Sequence, residues 1–312
     1  MRVRFTSALL LAATAVATNA SAQPRRADSL LAAGRLVAAE SAYYAAARSR
    51  PRDPDARRQL GRYLGQRGAP RVGAVLLEEA RTFGGDAATI ARDLVPLYRL
   101  LDDFHALVAL PSSPLGEGDR AQAAWLVEHP PSLEALDSAF VAYRPSADGP
   151  FVGRLTLRID GRPVDAVIDP TRRGIIVDAA AAAAARRRFR PRADQAVPAA
   201  ADSVRIGTLK MVNVPVLLEK LPDQVEAVLG IDVLQRFAAT FEPRAGRVTL
   251  RPTGTVPASL AGIRVATLTT PSDVRVLQGG RFVAMSAPSL ATLLRTKRWT
   301  LDARRGAIVI GD

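Results

Sequence analysis

One carboxylate is the most pointed chemical feature of this chain. Asp169 stands between two apolar runs in the stretch Val164-Asp165-Ala166-Val167-Ile168-Asp169-Pro170-Thr171-Arg172-Arg173-Gly174-Ile175-Ile176-Val177-Asp178. An acid held at a turn between buried segments can act as a general acid or base once its surroundings tune it. The plainer reading is a turn carboxylate that accepts nearby backbone N–H groups, as Asx residues readily do. The chain has no cysteine, and its histidines are His105 and His129 alone. Thiolate catalysis, cysteine zinc sites and histidine triads therefore lack their residues. No cofactor or metal site is expected. Both histidines read as helical residues at or near the surface, and Trp125 and Trp299 as core.

The elements that must position Asp169 follow from periodicity. Leu155, Leu157 and Ile159 alternate with Arg154, Thr156, Arg158 and Asp160, the pattern of a half-buried strand. Gly161-Arg162-Pro163 reads as a hairpin turn into a second strand, Val164 to Ile168. Ile175 to Val177 is a third, since β-branched residues suit a pleated core. Asp178 reads as the N-cap of an alanine helix at 179–185, closed by Arg186, Arg187 and Arg188 at its C-terminal end. After a short Ala- and Pro-rich connector, Pro191 to Ala201, come two strands joined by a turn, Val204–Thr208 and Val212–Leu218.

The order apolar strand, acidic loop, apolar strand, helix resembles the active-site segment of retropepsin-like aspartic peptidases. Two later blocks extend the likeness. Leu229-Gly230-Ile231-Asp232-Val233-Leu234-Gln235-Arg236-Phe237 is similar to the Leu-Gly-x-Asp-x-Leu-x-x-Phe segment of bacterial members, and Phe241 to Leu250 to their closing hairpin. The resemblance implies a closed β-barrel over 151–252 with Asp169 as the catalytic residue. It also implies a second carboxylate, because two acids sharing one proton divide the work of activating water and protonating the carbonyl. That acid would come from a homodimer partner or from elsewhere in the chain; Asp165 and Asp232 are poor substitutes. The family motif is Asp-Thr/Ser-Gly, and this chain carries Asp169-Pro170-Thr171. Pro170 removes the bracing hydroxyl and a backbone N–H. Thr171 puts a branched side chain where glycine lets a substrate backbone pass. Arg172 and Arg173 would lower the pKa values of a carboxylate pair.

The remainder reads as a multidomain α + β chain: an N-terminal α-helical repeat array followed by a retropepsin/pepsin-like closed β-barrel. Arg2 and Arg4, the apolar run Phe5 to Val16 and Ala20-Ser21-Ala22 form a signal peptide over 1–22, so the mature protein is expected in the periplasm or secreted. Residues 23–142 read as helices resembling tetratricopeptide repeats, with Gly34 and Gly68, and Ala46 and Ala80, each 34 apart. Asp102 and Asp103 read as a solvated helix end. A linker is expected at 143–150. Residues 253–312 read as a β-rich extension and a candidate second half-barrel. There Leu301-Asp302-x-x-x-Gly306-x-Ile308-x-Ile310 repeats Phe241-Glu242-x-x-x-Gly246-x-Val248-x-Leu250 at an offset of 60, without a second Asp-Thr-Gly. The formal charge is +13, but only Lys210, Lys220 and Lys297 of the 43 basic residues are lysine, and no basic block is interleaved with aromatics. Nucleic acid is therefore not an expected partner, and no membrane span is expected in the mature chain. Two functions stay open. One is an exported aspartic endopeptidase in which Asp169 activates water. The other is an inactive barrel that, with the helical array, binds peptides or proteins at the cell envelope.

Overall fold

The computed structural model describes residues 26–134, 138–146, 151–179, 196–252, 262–270 and 273–311. Helices come first: α1 (26–32), α2 (Leu36–Ser49), α3 (Pro54–Gln66), α4 (Pro70–Thr82), α5 (Ala87–Leu101), α6 (Phe104–Ala109) and α7 (Glu117–Glu128). Gly34 and Gly68 turn the chain from α1 to α2 and from α3 to α4 at φ of 70° and 90°, a region in which glycine has no Cβ penalty. Ala46 and Ala80 are buried, and Tyr43 stacks on Tyr63 at 4.9 Å. Aspartates start α3, α5 and α6: Asp53 accepts from Asp55 N and Ala56 N, Asp86 from Thr89 N, and Asp103 from Ala106 N. Asp103 is thus the N-cap of α6, while Asp102 ends α5 in the left-handed region and pairs with Arg236, in the turn just before the strand at 237–242. The pair expected to be a solvated helix end is split between a cap and an interface.

Asp86 makes a pH-dependent prediction. Hydrogen bonds from the Thr89 hydroxyl and then the Thr89 backbone hold its carboxyl below the usual value. A depressed folded pKa contributes stability above the unfolded value of about 3.9, lost as the pH falls through the folded value. Amide exchange in the first turn of α5 should therefore accelerate in acid. In Asp86→Ala it should already be fast at neutral pH and show no acid step.

β-structure begins earlier than the sequence suggests. β1 (Ser132–Glu134) pairs with residues 210–212, and β2 (Ala139–Pro145) pairs with residues 153–155 and 247–250. The expected linker at 143–150 therefore starts inside a strand, and its residues 147–150 lie outside the described ones. Tyr143 explains the difference: its ring is buried, meets Phe241 edge-on and donates its hydroxyl to Val152 O at 2.9 Å. Its ring partner Phe241 is distant in sequence, so the local Pro/Gly composition gave the wrong sign. Burial pushes the Tyr143 hydroxyl well above the ordinary tyrosine range.

Six strands close a ring: β3 (Gly153–Ile159), β4 (Arg162–Asp169), β8 (Ala227–Gly230), β5 (Ile175–Asp178), β7 (Leu209–Glu219) and β6 (Val197–Ile206), which returns to β3. β4–β8 and β5–β7 are parallel; the other pairs are antiparallel. Closure removes the free edges that an open sheet would expose. The β3–β4 turn is Asp160-Gly161, at φ of 49° and 84°. Both residues sit at positive φ, as a tight hairpin with the strands' twist requires. Arg162 and Pro163, expected in the turn, are already strand. The connector expected at 191–201 is β6 from Val197 onward, with Ala199, Ala200 and Ala201 buried. Its small side chains let α7 lie close, and buried Gln122 donates to Ala199 O at 2.6 Å and Val216 O at 3.1 Å. The alanine helix expected at 179–185 and the arginines after it lie outside the described residues, apart from Ala179.

The chain then runs through α8 (Ile231–Leu234), β9 (Phe237–Glu242) and β10 (Arg247–Pro252). The C-terminal part holds β11 (Ile263–Thr269), β12 (Val274–Gln278), β13 (Arg281–Ala284), α9 (Pro288–Thr296), β14 (Trp299–Asp302) and β15 (Ala307–Ile310). One hydrophobic core runs from the barrel into this part, from Leu157 and Ile168 to Leu294, Trp299 and Ile308. The helical layer docks on it tightly. A Cβ on Gly34 would lie 2.3 Å from Gly280 O, and one on Gly68 2.0 Å from Ala303 O. Arg67 donates to Gly306 O at 2.6 Å and to Thr267 O. No helix among the described residues is long and apolar enough to cross a membrane.

Candidate functional site

Asp169 ends β4, 7% exposed, directly opposite Gly230 of β8. Its Oδ1 accepts the Thr171 N–H at 2.8 Å and the Thr171 hydroxyl at 2.7 Å. The residue two along donates both bonds, so the carboxylate closes its own turn. This is the geometry of the plainer reading. Pro170, with no N–H, leaves Thr171 as the nearest backbone donor after the acid.

The Leu229-Gly230-Ile231-Asp232 block is the seat of this loop. Gly174 N–H donates to both Asp232 carboxylate oxygens, at 2.9 and 3.0 Å, and Gly230 N–H donates to Gly174 O at 2.8 Å. Gly174 adopts φ of 68°. At Gly230 a Cβ would lie 2.6 Å from Asp232 Oδ1, 2.7 Å from Arg172 O and 2.9 Å from Arg173 C. Glycine is required there because two backbones touch, and the acid two residues on fastens what the glycine admits. Sequence reasoning treated Asp232 as a non-catalytic companion and missed this bracing role; its spacing after the glycine was the available signal. Burial pushes the Asp232 carboxyl up, opposed by Arg173, the Gly174 N–H and Arg236. Asp165 lies four residues back, roughly 13 Å along a strand. It is held by Arg144 and Arg154, each at 3.0 Å. Asp178 accepts the Leu221 N–H at 3.0 Å.

The two arginines turn away from Asp169. Arg172 pairs with Glu219 of β7 at 2.5 Å. Arg173 reaches to the segment after β11, donating to Thr270 O and, at 3.0 Å, to Asp273 O. Burial pulls the Arg173 guanidinium down, opposed by Asp232 and Asp273; guanidinium nevertheless keeps its charge in proteins. His105 is exposed on α6, and His129 stacks on Trp125 at 4.4 Å. Among the described residues no group of three His, Cys, Asp or Glu could hold a metal ion.

A ring of six strands preceded by helices, with an acid loop seated on a Gly-x-Asp turn, is compatible with a retropepsin-like barrel carrying additional strands. Among solved structures the chain is similar to a retropepsin-like aspartic protease from Rickettsia conorii, at 17% identity. The overlap covers 39% of this chain and 93% of that one, at a TM-score of 0.27, too loose to add to the strand pairings above. No family model and no curated protein matches the chain.

Proposed function

We propose that this chain is a retropepsin-type barrel that no longer hydrolyses peptides and instead binds an extended peptide or protein segment in its cleft. The observation that carries this reading is the double hydrogen bond from Thr171 to one oxygen of the Asp169 carboxylate, with Arg173 crossing from the same loop to the C-terminal part. Water activation by the family's chemistry needs a second carboxylate beside the first. Asp165 and Asp232 are each bonded elsewhere. An extended ligand suits such a barrel, because strand-like segments pair through main-chain hydrogen bonds. The helical layer, whose glycine-turned pairs fit a tetratricopeptide-like array, adds further binding surface. Residues 1–22, outside the described ones, would export the chain, placing this binding at the cell envelope or beyond.

The second reading is an active aspartic endopeptidase with Asp169 as acid/base, favoured by the placement of Asp169 at the end of β4 against Gly230. The purified mature protein, incubated with a denatured substrate from about pH 3 to about pH 7, should release no fragments, and Asp169→Asn should behave identically. Pepstatin-sensitive cleavage that disappears in Asp169→Asn would establish the peptidase instead.

A further inference from the structure

Three left-handed residues stand 34 apart along the helical layer: Gly34 at φ of 70°, Gly68 at 90° and Asp102 at 54°. Each lies between two helices, one residue before the N-cap of the second. All three meet the β-structure. The two glycines do so by backbone approach, to Gly280 and Ala303. The third turn departs from the pattern. Aspartate carries a Cβ that this region penalises and glycine lacks, and its carboxylate reaches across instead. Both oxygens accept from Arg236, Oδ1 at 2.8 Å. Arg236 also donates to Arg99 O at 3.4 Å, at the C-terminal end of α5, where a cation complements the helix dipole.

Arg236 follows α8 by two residues, and its N–H donates to Val233 O, so the turn of α8 runs on to it. Asp232 and Arg236 are four apart and therefore neighbours on one turn. Burial pushes the Asp232 carboxyl up, and Arg236 is among the groups that oppose it. Gln235, between them, donates to the Thr269 hydroxyl at 2.9 Å, beside the Thr270 carbonyl that takes Arg173. The stretch 231–236 thus receives the helical layer through Arg236 and the Asp169 loop through Asp232. We propose that Asp102 and Arg236 are positioning residues for the Asp169 loop: the docked α5–α6 turn sets how firmly that loop is held. Freed from Asp102, Arg236 would compete with the Gly174 N–H for the Asp232 carboxylate. This assignment rests on the reading of the Asp169 loop as a wall of the binding cleft. Its test contains no ligand, so a cleft that binds no peptide leaves the expected result unchanged, and the two readings fail separately.

Asp102→Gly is the discriminating variant. It installs the residue that the other two turns use and removes only the carboxylate. Amide exchange at Gly174 and Gly230 should rise about threefold or more, the low end of coupling between linked elements. Exchange at Leu157, buried in β3, should stay as it is. Asp102→Asn keeps one acceptor oxygen and should fall between the wild type and Asp102→Gly. Arg236→Met should speed the same two amides, and the double variant should be no faster than the faster single, because both changes break one link. Unchanged exchange at Gly174 in Asp102→Gly would overturn the proposal. So would an equal rise at Leu157, which is general loosening, or effects that add in the double variant.

Discussion

Trp299→Ala should lower the unfolding free energy by about 3–5 kcal/mol, the range for removing a large buried aromatic. Trp299 is fully buried and is the largest such side chain in the protein. It lies on β14 between β9 and β15, stacked on Phe241, and its indole N–H donates to Leu294 O at 2.9 Å. Truncation opens a cavity at the centre of the shared core and strands a carbonyl at the end of α9. The two losses can be separated. Trp299→Phe keeps most of the ring contact but not the donor, so it should lose about 1–3 kcal/mol, the cost of one unsatisfied buried group. Urea denaturation followed by circular dichroism measures both. Because the barrel and the C-terminal strands share one core, a single cooperative transition should move to lower urea. A loss below about 1 kcal/mol for the alanine variant would mean that β14 does not pack as described.

The second large effect belongs to Asp232→Ala, which should cost about 2–4 kcal/mol. The Gly174 N–H, bonded to both carboxylate oxygens, loses its partner, and the half-buried Arg173 guanidinium keeps its carbonyl acceptors but loses one of the two charges that offset its own. An orphaned N–H costs about 1–3 kcal/mol, and the lost charge adds to it. Asp232→Asn retains an acceptor for Gly174 and should recover part of the loss. The change should also appear locally, as faster amide exchange at Gly174 and Gly230. If Asp232→Ala unfolds with wild-type stability, the carboxylate is not the fastener of the acid loop.

Some of this was readable from the chain alone. Leu155, Leu157 and Ile159 alternate with polar residues, and all three point into the core, because a strand with one buried face writes its period into the sequence. The repeated hairpin at an offset of 60 was also visible, since Gly246 and Gly306 are needed at left-handed positions and glycine is the residue that sits there freely. Other features were not readable. Tyr143 resembles a linker residue until its contacts with Phe241 and Val152 are known, and Ala199 to Ala201 resemble a connector until α7 is laid across them. In both cases a deciding partner, Phe241 or Gln122, lies far along the chain.

By itself the sequence determined the helical and strand periods, the acid at a strand end, and the chemistry denied by absent cysteine and scarce histidine. These are local properties, set by side-chain type and spacing. Only the tertiary structure decided that six strands close a ring, that Asp232 fastens Gly174, and that Arg173 turns toward the C-terminal part. Each of those depends on which distant groups meet in three dimensions, and a carboxylate or guanidinium takes its role from its nearest partners rather than from its neighbours in the chain.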